Sequence, residues 1–146
     1  MTTTEAQTTQ IYRIAIAATP EAIWRAITTP EFTERFFFGA RHTVTRDRYL
    51  SLSPDGDVWA DESVEEFDPP RRLVHGWHSE YDEELAAEAR SRVAWEIQPQ
   101  DDGTCLLTLV HDRLEGAPKT AASVAGGWMT VLGRLKSLLE TGEPGA

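Results

Sequence analysis

The sequence predicts an α+β domain in which a curved antiparallel sheet of about seven strands wraps one long C-terminal helix. Three observations predict it. Residues 120–140, TAASVAGGWMTVLGRLKSLLE, carry the longest helical period in the chain. Residues 40–115 switch to period two, broken by tight turns. Two helix starts, Thr19-Pro20-Glu21 and Thr29-Pro30-Glu31, follow the first alternating segment. The expected order is β-α-α-β6-α.

Gln10 to Ala18 alternates, with Tyr12, Ile14 and Ile16 on one face and Arg13 on the other, as a half-buried strand does. Thr19 is placed as an N-cap and Pro20 at the first helical position. This helix, running to Thr28, is followed by a shorter one ending near Phe36-Phe37-Phe38-Gly39. Strands are expected near 42–46, 49–53, 57–67, 72–78, 90–98 and 104–112, joined by turns rich in Pro, Asp and Gly. Glu80 to Glu88 is too acidic for a strand and reads as a solvated loop or frayed helical turn. In the last segment Val124, Trp128, Val131, Leu132, Leu135 and Leu139 share a stripe. Thr120 is its expected N-cap and Gly142 its C-terminal stop. The domain is expected over 10–141, between a disordered tail (1–9) and a short C-terminal tail (142–146).

The 146 residues carry a net charge of −10 with 40% apolar and 26% charged residues, which suits one soluble domain. No basic patch points to nucleic acid or to an anionic membrane. No apolar run is long enough to span a bilayer, and the polar start reads as neither signal nor transit peptide, so a cytoplasmic protein is expected. A single cysteine, Cys105, excludes an intrachain disulfide and a cysteine-cluster metal site.

Several stretches together resemble the helix-grip, START-like (SRPBCC) superfamily, and more narrowly its branch related to the activator of heat-shock protein 90 ATPase (AHSA-like). They are Ala18 to Ile27, Thr29-Pro30-Glu31, Val64 to Val74 with Trp77, Leu107 to His111, and Gly127-Trp128 with Leu132, Leu135 and Leu139. One departure stands at Arg46-Asp47-Arg48, where a glycine-rich turn is usual. The resemblance implies a pocket between sheet and long helix, and brings no universal catalytic set with it.

Strand parity proposes the lining: Val64 and Glu66, then Leu73, His75 and Trp77, then Val93 and Trp95, then Leu107, Leu109 and His111. The helix adds Val124, Trp128 and Val131. The three tryptophans are equally needed for core packing in a domain this size. Glu66 on an apolar face must be paired or wet, and an arginine across the sheet is the favoured partner. His75 and His78, three apart, fall on opposite faces of a strand, so no metal site is expected, and no cofactor. Glu66, His75 and His111 are the candidates for acid–base work.

Three functions follow in order. The first is binding of a hydrophobic small molecule (lipid-, polyketide- or aromatic-like); the second is a cyclase, dehydratase or hydrolase using the same pocket. The third is a chaperone partner, although the eukaryotic activator carries a further amino-terminal domain that this sequence does not show. Ser123, Gly126, Thr130, Gly133 and Ser137 form an outer stripe on the long helix, which reads as a solvated face or as the contact of a homodimer.

Overall fold

The computed structural model describes residues 8–144. The elements are β1 (Gln10–Ile16), α1 (Pro20–Thr28), α2 (Pro30–Phe36), β2 (Arg41–Val44), β3 (Arg48–Leu52), β4 (Val58–Asp68), β5 (Arg72–Trp77), α3 (Glu83–Ala86), β6 (Ser91–Pro99), β7 (Cys105–Asp112) and α4 (Pro118–Thr141). The strands form one seven-stranded sheet in the order β1-β7-β6-β5-β4-β3-β2. Every pairing is antiparallel, and α4 lies along the inner face as the helix-grip architecture requires. Most of the tail expected at 1–9 lies outside the described residues.

Register places like with like. His75, Val93 and His111 lie in one row across β5, β6 and β7, and Leu73, Trp95 and Leu109 lie in the next. These inward rows meet Val124, Trp128, Val131 and Leu135 of α4 in a single core cluster. Ile23, Ala26 and Ile27 of α1 join it, held by a start at which the Thr19 hydroxyl accepts from Ala22 N at 3.1 Å. On the outer face Arg72 bridges Glu66 and Glu96, and Arg92 bridges Asp112.

Two expectations are corrected here, and a third is sharpened. Val64 and Glu66 do not share a face, because a bulge between them inserts Glu65 and sends Glu66 outward. Thr120 is not the cap of α4, which begins at Pro118 after Ala117. Glu80 to Glu88 holds the helical turn that was one of its two readings, the four-residue α3. Asp82 caps the short α3, and the Glu88 carboxylate accepts from Lys119 N at 2.9 Å and Thr120 N at 2.8 Å. A side chain remote in sequence thus caps the long helix at its positive end. Gly142 ends α4 as predicted. Its φ of +88° is left-handed, and its N–H reaches Leu138 O.

Candidate functional site

The middle of the sheet is filled. Leu73, Val93, Trp95, Leu107 and Leu109 are all buried and pack directly under α1 and α4. Space remains toward the β2–β3–β4 end, where a cavity of about 350 Å³ opens between the sheet and the first half of α4. Phe37, Phe38 and Ala40 close it from the α2–β2 link, and His42, Tyr49, Ser51, Trp59 and Ala60 from the strands. The chain leaving β5 contributes Trp77, His78, Ser79 and Tyr81. From α4 come Ser123, Val124, Gly127, Trp128 and Val131. Phe38 and Tyr81 are more than half exposed and form the accessible part of this aromatic wall.

Four of the residues proposed from parity therefore line the cavity: Trp77, Val124, Trp128 and Val131. Leu73, Val93, Trp95, Leu107 and Leu109 belong to the packed core instead, and Val64 packs against it. The acid–base candidates fall elsewhere. Glu66 is exposed and accepts from Arg72 Nε at 3.0 Å, the pairing that its charge called for. His75 and His111 are fully buried and do not line the cavity.

Those two histidines have a different task. Trp95 Nε1 donates to His75 Nε2 at 3.1 Å, and His75 Nδ1 faces Gly76 O at 2.7 Å. Trp128 Nε1 donates to His111 Nδ1 at 3.0 Å, leaving His111 Nε2 to meet the Ser91 hydroxyl at 2.7 Å. Each imidazole thus satisfies an indole that would otherwise be an orphaned donor in the core. Burial pushes His75 down to about 4, against the effect of its bond to Gly76. Burial, with the charge of His75, pushes His111 down to about 3.

His42 and Tyr49 are not among the residues that parity proposes, and they add a buried polar pair to the wall. The Tyr49 hydroxyl lies 3.0 Å from His42 Nδ1, and its ring stacks on His75 with centroids 3.8 Å apart. Burial, then the charge of His75, pushes His42 down to about 3. Burial, then the Glu62 carboxylate, pushes the Tyr49 phenol well above its ordinary value. Both groups are therefore neutral at pH 7, a hydrogen-bonded pair in an apolar wall. The signal for Tyr49 and Ser51 is present in the period-two pattern of β3, whose alternate residues Tyr49 and Ser51 are both buried. His42 lies on a four-residue strand too short to show a period.

No helix among the described residues is long and apolar enough to cross a membrane. No curated protein matches the chain in sequence. Solved structures are similar to it in fold. The protein MLL2253 from Mesorhizobium loti is similar over 90% of this chain and 96% of its own, at 23% identity and a TM-score of 0.72. DynU16, from the dynemicin biosynthetic locus, is similar over 94% of this chain at 23% identity and a TM-score of 0.75; the match spans only 49% of DynU16. The Aha1 dimer from Colwellia psychrerythraea is similar over 93% of this chain and 98% of its own, at 18% identity and a TM-score of 0.68. At such identities these neighbours establish the fold. The sequence profile of the Activator of Hsp90 ATPase homolog 1-like proteins matches residues 17–140, most of the domain, and the chain belongs to that family.

Proposed function

We propose that this protein binds a hydrophobic small molecule, with an aromatic or polyketide-like body, in the cavity between the sheet and α4. The observation that carries this reading is the cavity itself, about 350 Å³ walled largely by aromatic side chains. That volume falls at the lower end of the range of pockets that enclose drug-sized ligands. The buried polar pair in its wall, His42 and Tyr49, is held neutral, and most of the remaining wall is apolar, which suits an occupant with a largely apolar body. The neighbour from a biosynthetic locus supports the reading by its similar fold. Catalysis by Glu66, His75 or His111 has no support in their placement away from the cavity.

Gly127 provides the test. It lines the cavity, and a Cβ added there meets nothing within 4 Å. Leucine is a good helix former, so Gly127→Leu fills the space while keeping α4 intact. An apolar dye titrated into the wild type should bind and quench the fluorescence of Trp77 and Trp128. Gly127→Leu should bind it at least about tenfold more weakly, one to two buried methylenes' worth of lost contact. A wild type that binds no dye, or a variant that binds it equally well, overturns the reading. Native mass spectrometry of the purified protein would then narrow the ligand class.

A further inference from the structure

A second polar cluster adjoins the cavity and is not explained by packing. One ring nitrogen of His78 and one carboxylate oxygen each of Glu62 and Glu80 lie within 4.8 Å of one another. Glu62 is no ordinary surface acid, since its side chain is 2% exposed. One of its oxygens accepts from Arg90 Nε at 2.9 Å. The other, Oε2, is buried with no hydrogen-bond partner among the described residues. Buried carboxylate oxygens are costly to leave so, and an orphan of this kind asks for a partner that the side chains do not provide.

His78 is oriented toward the carboxylates from behind. Its Nε2 lies 2.8 Å from Ala86 O and 3.2 Å from Glu88 O. Carbonyls only accept, so Nε2 carries a proton, and Nδ1 is the atom turned to Glu80. An imidazole pinned by a backbone carbonyl through one nitrogen, with the other facing anionic oxygens, is how proteins orient histidine ligands toward metals. The chain is held in place here too, by Glu80 N donating to Trp59 O at 2.9 Å.

We propose that Glu62, His78 and Glu80 form a site for a divalent transition-metal ion such as Zn²⁺ at the edge of the cavity. One nitrogen and two carboxylates suit an ion of borderline softness, whereas calcium and magnesium favour all-oxygen sets. Ligand distances of about 2.0–2.2 Å require the three atoms to close to roughly 3–3.5 Å of one another, a small movement for the exposed Glu80. Three protein ligands leave a fourth position for water or for an oxygen of a cavity occupant, because His78 itself lines the cavity. This site does not depend on the small-molecule reading and is tested with the metal alone.

Protein stripped with chelator and desalted is titrated with Zn²⁺ by calorimetry, and thermal unfolding is followed with and without the ion. The wild type should take up one Zn²⁺ per chain at micromolar concentration and melt at a higher temperature with it. Glu80→Gln and His78→Gln should each weaken uptake at least about tenfold and abolish that thermal shift. Glu80 is exposed, so Glu80→Gln keeps the fold even where the His78 variant does not. A wild type without stoichiometric uptake overturns the proposal, as does a folded Glu80→Gln protein that binds Zn²⁺ with unchanged affinity.

Discussion

The indole N–H of Trp128 donates to Nδ1 of His111 across 3.0 Å, joining the long helix to β7 inside the core. The same pattern recurs between Trp95 and His75. A large apolar body is thereby fixed by one polar contact at its edge, so the ring that lines the cavity is also one that cannot easily turn.

Trp128→Phe keeps an aromatic body but leaves His111 Nδ1 without its donor. Chemical denaturation should show a loss of about 1–3 kcal/mol. Trp128→Ala removes the packing as well and should cost ~3–5 kcal/mol. A Trp128→Phe protein as stable as the wild type would mean that the bond to His111 contributes nothing beyond shape.

Acid should destabilise the protein well before its carboxylates titrate. Burial holds His42 at about 3, His75 at about 4 and His111 at about 3, against an ordinary value of 6.5. Between those limits the unfolded chain binds more protons than the native one, so stability is complete above pH 6.5 and falls as pH drops toward 4. Each histidine contributes a slope of about 1.4 kcal/mol per pH unit, and all of them together up to about 4. Denaturation curves at pH 7, 6 and 5 measure it, and a flat profile across that range would contradict the burial of neutral imidazoles.

Glu88 caps a helix that begins thirty residues later, through Lys119 N, Thr120 N and the Thr120 hydroxyl. Desolvation opposes its charge, but those hydrogen bonds prevail and hold its carboxyl below the ordinary value. Glu88→Ala should cost about 0.5–2 kcal/mol at neutral pH. Because the folded value is depressed, the difference from wild type should shrink as pH falls through the carboxylate range. A constant difference would assign the effect to something other than the charge.

Gly126 and Gly133 stand on the exposed side of α4, and a Cβ at either meets nothing within 4 Å. Gly126→Ala and Gly133→Ala should therefore each raise stability by about 0.5–1 kcal/mol, through helix propensity alone. Thermal denaturation reads this directly, and a loss of stability in either variant would reveal a contact at that face.

The other reading of that face, a homodimer contact through the small-residue stripe, predicts the opposite sign, and a wild-type dimer in sedimentation that Gly126→Arg and Gly133→Arg disrupt would establish it.

The architecture was legible because its signals are periodic and long. Twenty-four residues of α4 and the paired strands leave patterns that survive without any coordinates. The site was legible only in part, for a reason of geometry. Parity tells which face a side chain takes, and His75, Trp95 and His111 do lie together on the inner face. It cannot tell which part of that face is filled and which left open. The opening lies over β2, β3 and β4, whose side chains Tyr49 and Trp59 went unweighed. A single bulge at Glu65 was enough to turn Glu66 outward, and nothing in the local sequence announces it. Spacing relates His78 only to His75, whereas its neighbours in space, Glu62 and Glu80, come from β4 and from the chain beyond β5.

The stretch from Trp77 to Glu88 is fastened at both of its working ends. Tyr81 rests on Trp59 at the cavity wall with ring centroids 5.9 Å apart, and Glu88 holds the first turn of α4. Only the short α3 separates the two. The exposed aromatic that a ligand would displace on entering and the helix forming the opposite wall are thus linked in series by a few residues of chain. A ligand entering past Tyr81 would therefore pull on the start of that helix. The amides of Lys119 and Thr120, which touch no part of the cavity, would then be remote reporters of whether it is occupied, readable by hydrogen exchange.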